Sequence, residues 1–138
     1  MFWFWFDEVK KELTEDQKTD IEVATTCIFN PIYELQRNKK LMKNEKVIAK
    51  YDKLCIAVIN FVDAVYTYEV TDIKDTAHEL KKAITNFGYD AKKVDKKASG
   101  KVNNIKFKRN IDALVNYIDD ALNPIENEDY YDVLQLSC

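Results

Sequence analysis

The most regular hydrophobic pattern in the chain lies between Asn44 and Tyr68. Apolar residues there recur three or four positions apart, and a second apolar row repeats every seven residues beside the first. Such spacing predicts an α-helix with one wide buried face that contacts at least two other helices. A two-stranded coiled coil would need only the first row. The two rows are Val47, Tyr51, Leu54, Val58, Phe61 and Val65, and Ile48, Cys55 and Val62.

An earlier helix is predicted to begin after Thr14, because Gln17 three residues later completes a capping-box pattern. Pro31 lacks a backbone donor, so we expect a kink or break in this helix at that point. Residues 7–13 predict a further short amphipathic helix, and the polar run 36–46 contains the next turn. The predicted inner face comprises Ile21, Ala24, Ile28 and Leu35.

Two more helices are predicted in the second half of the chain. One begins at a cap supplied by Thr71 or Asp72 and ends at Gly88, because glycine readily adopts the geometry that follows a helix. The other covers about 104–123 and ends before Pro124. Their inner faces are predicted to be Ile73, Ala77, Leu80, Ile84 and Phe87, and Ile111, Leu114, Val115, Ile118 and Leu122.

These patterns predict an all-α fold, a compact bundle of four to five helices around the helix at 44–68 in a single domain over residues 1–138. Only two glycines and two prolines occur among 138 residues, which favours long helices over a turn-rich β-sandwich. Segments 65–70 and 105–108 have strand-like composition or alternation, so strands are the alternative there. The tail 124–138 is acidic at first and then apolar, which suits a short docking segment.

Cysteine usage and hydropathy bear on the compartment. Cys27, Cys55 and Cys138 are odd in number and have no CxxC spacing, which favours small apolar thiols in a reducing compartment over a disulfide framework. No segment approaches the roughly 18 uncharged apolar residues of a membrane span. We therefore expect a cytoplasmic protein.

Charge is unevenly distributed although the chain as a whole carries only −3. Residues 90–109 have a net charge of +6 and include a predicted basic loop over 90–103, whereas residues 110–138 have a net charge of −7. The basic segment is a candidate phosphate-binding surface, although an ordinary solvated face is the simpler interpretation. Its basic residues are Lys92, Lys93, Lys96, Lys97, Lys101, Lys106, Lys108 and Arg109.

The aromatic N-terminal segment, residues 1–6, contains both tryptophans of the chain. Aromatic surface of this size is seldom left in water, so the core, a second copy, another protein or a lipid surface should cover it. Tyr130 and Tyr131 stand beside acidic residues in the tail and suit a contact surface as well. The candidate partner-binding residues are Phe2, Trp3, Phe4, Trp5, Phe6, Tyr130 and Tyr131.

The sequence shows no recognisable catalytic motif. Gly88 and Gly100 stand alone, so there is no glycine-rich phosphate loop. His78 is the only histidine, and Asp75 three residues earlier would share its helical face. That pair could form half of a metal site, but a surface histidine beside a carboxylate is the ordinary interpretation. We therefore expect no catalytic residue, metal or cofactor.

The function predicted from these features is a non-catalytic intracellular protein-binding module. It would act as a small inhibitor or accessory protein by occupying a partner surface, and the Lys-, Asn-, Asp- and Ile-rich composition suits a phage or mobile-element origin. The partner would be another protein or a second copy, giving a homo-oligomer. The alternatives are a nucleic-acid-binding regulator that uses residues 92–109 and a metal-dependent enzyme centred on His78.

Overall fold

The computed structural model describes residues 12–97, 100, 105–123, 134 and 136. These residues form four α-helices and two short 3-10 helices, and they contain no strand. The all-α prediction is confirmed, and the strand alternatives at 65–70 and 105–108 are wrong. The helices are α1 (Glu15–Glu34), α2 (Glu45–Thr67), α3 (Val70–Val94) and α4 (Ile105–Leu122), and the 3-10 helices are Leu35–Arg37 and Leu41–Lys43.

Helix α1 begins at the predicted capping box. The Thr14 amide donates to Gln17 Oε1 at 2.9 Å, and the Gln17 amide donates to Thr14 Oγ1 at 3.1 Å. The predicted break is wrong, because α1 continues through Pro31 to Glu34. Ile28, Phe29 and Ile32 around the proline are all buried, and this packing offsets the roughly 3 kcal/mol that an interior proline costs.

The segment before α1 departs from the predicted short helix at 7–13. Glu12 and Leu13 are not helical, and the remainder of that prediction lies outside the described residues. Leu13 is nevertheless buried and belongs to the hydrophobic core. The chain therefore enters the core just before the capping box.

Helix α2 matches the predicted central helix closely. Asn44 caps its first turn by accepting a hydrogen bond from the Val47 amide at 3.1 Å. It ends at Thr67, and the left-handed backbone of Tyr68 (φ 57°) stops the helix and turns the chain toward α3. Every residue of the first predicted row is buried, whereas the second row, Ile48, Cys55 and Val62, is half-buried.

Helix α3 is longer than predicted at both ends. It begins at Val70, so Thr71 and Asp72 lie in its first turn and do not cap it. It also runs past Gly88 to Val94, so the first residues of the predicted basic loop are helical. Gly88 and Ala91 are both buried, which shows that the core-facing stripe extends one turn beyond the glycine.

The four helices bury one continuous core. The predicted inner faces of α1, α3 and α4 are all buried. α2 and α3 form an antiparallel hairpin with the most extensive packing in the bundle, and α3 also packs against α4. Two aromatic contacts cross between helices, with ring centroids 5.9 Å apart for Phe29 and Phe61 and 5.8 Å apart for Tyr51 and Phe87.

The tail contacts the core through two leucines. Leu134 and Leu136 are half-buried and pack against the core, as the apolar character of the tail suggests. Cys55 carries a free thiol. Cys27 is disulfide-bonded, so the prediction of unpaired thiols is wrong for this residue.

Among the helices described, none has the length and apolar character needed to cross a membrane.

Candidate functional site

An open groove, here called the α2–α3 groove, runs along the outside of the α2–α3 hairpin. It encloses about 490 Å³, which is comparable to sites that accept ligands or side chains. Each helix contributes residues about one turn apart, because positions on one helical face recur with the 3.6-residue period. The groove is lined by Lys50, Lys53, Ile56, Ala57, Asn60, Asp75, Thr76, Glu79, Lys82, Ala83 and Asn86.

Charge changes sign along the α2–α3 groove. A two-residue link joins the helices, so they run antiparallel, and the contact between the Tyr51 and Phe87 rings fixes which parts lie side by side. In this register Lys50 and Lys53 lie far from the link, and we call them the basic end. Asp75 and Glu79 lie nearer to the link, and we call them the acidic end. Lys82 lies between the two ends, with its Nζ 3.8 Å from Glu79 Oε1.

Apart from Lys82, the middle of the groove is apolar. Ile56 lines it with 58% of its surface exposed, and the half-buried Ala57 and Ala83 lie close to it. Alanine side chains are short, so they leave the groove open between the flanking lysines. An exposed isoleucine bordered by charges on both sides is suited to contact with another macromolecule, since such contact removes its apolar surface from water.

His78 lies among lysines, which disfavours a metal site there. It is exposed on α3 and lines a shallow depression with Lys81, Lys82 and Lys108, whose positive charges disfavour a bound cation. Within the described part of the chain, no group of three or more His, Cys, Asp or Glu side chains could hold a metal ion. The histidine therefore has the surroundings of a surface residue.

The structure brings most of the basic segment to one end of the α3–α4 pair. Lys108 Nζ donates to Thr85 Oγ1 at 2.6 Å, and Lys81 Nζ lies 2.7 Å from Asp112 Oδ1. These contacts run in antiparallel order, so the start of α4 lies toward the end of α3. Lys101 lies outside the described residues; the basic residues near this end are Lys92, Lys93, Lys96, Lys97, Lys106, Lys108 and Arg109.

The side chains of Lys93 and Lys108 contact their own protein in addition to solvent. Lys93 Nζ lies 4.4 Å from the centroid of the Tyr89 ring, a cation–π contact. Lys108 is half-buried and bonded to Thr85 as described. Lys92, Lys106 and Arg109 have exposed side chains. The described part of the basic segment is thus a charged surface at one end of the α3–α4 pair.

The acidic part of α4 lies toward the opposite end of the α3–α4 pair. Asp119 Oδ2 is 2.9 Å from Lys74 Nζ. The hydrogen bond from Lys74, helped by one from Asn123, holds the pKa of the Asp119 carboxyl below its usual value despite partial burial. The predicted contact residues Phe2, Trp3, Phe4, Trp5, Phe6, Tyr130 and Tyr131 lie outside the described residues.

The half-buried thiol and the buried tyrosine of α2 serve packing. Burial raises the pKa of the Cys55 thiol. Burial also raises the pKa of the Tyr51 hydroxyl far above its ordinary value, and the Cys55 thiol beside it adds to this shift. Tyr51 Oη donates to the Ile32 carbonyl at 2.8 Å. Both shifts keep the groups neutral at physiological pH, which is the opposite of what an activated nucleophile needs.

Comparison with known proteins adds no identification, since no family model, curated protein or solved structure matches this chain. The α2–α3 groove was not predicted from the sequence. Its two stripes, such as Lys50, Lys53 and Ala57 on α2, do show helical spacing. What the sequence lacks is any signal that the stripes of α2 and α3 face the same side of the bundle.

Proposed function

We propose that this protein is a non-catalytic protein-binding module that acts by occupying the surface of another protein or of a second copy. The α2–α3 groove is the described surface best suited to that role. The observation that carries the proposal is the placement of Ile56, more than half exposed, between a basic and an acidic end. Central apolar contacts with a charged rim are the usual anatomy of protein interfaces.

The proposal is tested by affinity capture with tagged full-length protein as bait and Ile56→Glu as the variant. We expect wild-type protein to retain at least one protein, including untagged copies of itself, that Ile56→Glu loses. The matched control is Val23→Glu, because Val23 is 63% exposed on α1 and does not line the groove. Equal capture by wild type, variant and control would refute the proposed contact surface.

A second candidate is nucleic-acid binding through the basic end of the α3–α4 pair. The specific observation in its favour is that the end of α3 and the start of α4 bring their lysines to one end of the helix pair. Replacing Lys96, Lys97 and Lys101 with Glu should then abolish a salt-sensitive mobility shift of single-stranded DNA or RNA. Lys18→Glu is the control at the start of α1, which lies toward the opposite end of the molecule, and absence of any shift at low salt would eliminate this function.

The inhibitory role, the phage or mobile-element origin and the cytoplasmic location remain proposals from composition and cysteine usage. The disulfide at Cys27 counts against a reducing compartment, and the free thiol of Cys55 fits one. Alkylation of the protein in lysate from its native cells, with and without prior reduction, shows whether Cys27 is oxidised in those cells. A cytoplasmic protein should show no added alkylation of Cys27 after reduction.

A further inference from the structure

We propose that the partner seated on the α2–α3 groove is a second copy of this chain, bound in the antiparallel direction across a two-fold axis. This inference rests on the function proposed above, because it names the occupant of the same groove. It follows from the order of charges along the groove, which is complementary to its own reverse. Most protein assemblies are homo-oligomers, and two-fold dimers with self-complementary interfaces are the commonest kind.

The direction of the second copy follows from the charges. A two-fold axis that lies in the interface and crosses the helices at right angles reverses the second groove. The basic end of each copy then faces the acidic end of the other, and this contact occurs twice. An axis parallel to the helices would instead place lysines opposite lysines, which is unfavourable.

The apolar middle of the groove fits the same arrangement. In the antiparallel register Ile56 and Ala57 lie between the basic and acidic ends, close to where the axis would cross. A residue near a two-fold axis meets its own counterpart, so Ile56 of one copy would contact Ile56 of the other. The short side chains of Ala57 and Ala83 leave space for that contact. Desolvation at this centre would strengthen the charge pairs around it.

The first experiment measures solution mass by analytical ultracentrifugation of the full chain, from about 1 μM to about 1 mM. We expect wild-type protein to form a dimer within this range. Ile56→Glu should weaken the dimer more than about tenfold, because two like charges would meet near the axis. Val23→Glu should leave the dissociation constant unchanged. A wild-type chain that stays monomeric, or a dimer that Ile56→Glu leaves intact, would overturn the proposal.

The second experiment mixes two charge-reversed proteins. One carries Lys50→Glu with Lys53→Glu, and the other carries Asp75→Lys with Glu79→Lys. Each alone should dissociate at least about tenfold more readily than wild type, because like charges would meet in both symmetric contacts. Mixed in equal amounts they should form a heterodimer of near wild-type affinity, since every reversed group then meets an opposite charge. Loss of association without recovery on mixing would contradict the antiparallel two-fold arrangement.

Folding of each variant is checked by circular dichroism and thermal unfolding, which is a fair control because Lys53, Asp75 and Glu79 are exposed. The outcome also separates this inference from the proposed function. A monomeric chain that captures a different protein through Ile56 would overturn the self-association and leave the proposed function standing. Absence of both self-association and Ile56-dependent capture would overturn both.

Discussion

Tyr51 shows how one residue joins two elements of this bundle. Its ring packs against Phe87 of α3 and its hydroxyl donates to the Ile32 carbonyl near the end of α1. The last carbonyls of a helix have no partner within the helix, so a side chain from another helix can satisfy them. Tyr51 therefore stabilises the end of α1 from within the core.

Replacing Tyr51 with Phe should lower the free energy of unfolding by about 1 kcal/mol. The ring contact with Phe87 is retained, so the loss is confined to the hydrogen bonds of the hydroxyl, and Ile32 still accepts from the Leu35 amide. Urea unfolding measures the change. Tyr33→Phe is the control at a side chain that is 48% exposed, and its effect should stay within about 0.5 kcal/mol. Equal effects of the two substitutions would contradict the role assigned to Tyr51.

Tyr51 should also make stability depend on alkaline pH. Its pKa is raised by burial above the ordinary value of 10.0, so the folded state disfavours the phenolate more than the unfolded state does. Its contribution is complete below pH 10 and declines as the pH rises above that value. The stability difference between wild type and Tyr51→Phe should therefore shrink between about pH 9 and pH 11. A difference that stays constant over this range would count against the raised pKa.

At the scale of the elements, the start of α1 depends on side-chain chemistry and its continuation on packing. Thr14 and Gln17 satisfy two amides reciprocally, and this is a local arrangement. The passage through Pro31 is not local, because Ile28 and Ile32 must be buried against other helices. The same distinction applies to α3, which continues past Gly88 because the surrounding stripe is buried.

Replacing Thr14 with Ala should destabilise the protein by about 1 kcal/mol through loss of the capping box. The matched control is Thr26→Ala within α1, where the hydroxyl donates a hydrogen bond to the Glu22 carbonyl on an exposed face and caps nothing. That control should leave stability unchanged or slightly raised, since alanine favours helices. Chemical denaturation of both variants tests the pair, and a Thr26→Ala loss as large as that of Thr14→Ala would contradict the cap assignment.

At the scale of the whole molecule, polar contacts align the helices around the core. Lys74 and Lys81 of α3 pair with Asp119 and Asp112 of α4 in antiparallel order. Tyr117 Oη of α4 donates to Asp20 of α1 at 3.1 Å, which ties the last helix to the first. These exposed or half-exposed pairs contribute little stability individually, but they favour one register of α4 over its alternatives.

Replacing Lys74 with Met should raise the pKa of Asp119 toward its ordinary value. The Lys74 hydrogen bond is the main cause of the lowered pKa, so its loss leaves Asp119 easier to protonate. Because a depressed folded-state pKa stabilises only above the unfolded value, wild type should lose this contribution as the pH falls below about 4. Carboxyl NMR titration checks the shift. Lys82→Met, which removes the 3.8 Å pair with Glu79, should leave Asp119 unchanged.

The sequence by itself determined the helices and their inner faces. Apolar spacing identified α2 within one residue at each end, and every residue it placed on the other predicted inner faces is buried, because the 3.6-residue period is a local property. The capping box at Thr14 could be predicted from the sequence for the same reason. The contrast in charge between residues 90–109 and residues 110–138 is likewise a property of the sequence alone.

Only the tertiary structure decided where helices continue and which surfaces meet. The low helix propensity of Pro31 and Gly88 predicted that α1 and α3 would be interrupted there. Burial of the neighbouring residues outweighs this propensity, and both helices continue. The α2–α3 groove needs Lys53 and Asp75 on one side of the bundle, a relation between residues distant in sequence. Such relations depend on how helices rotate and align when they pack together, and hydrophobic periodicity within one helix contains no information about its neighbour.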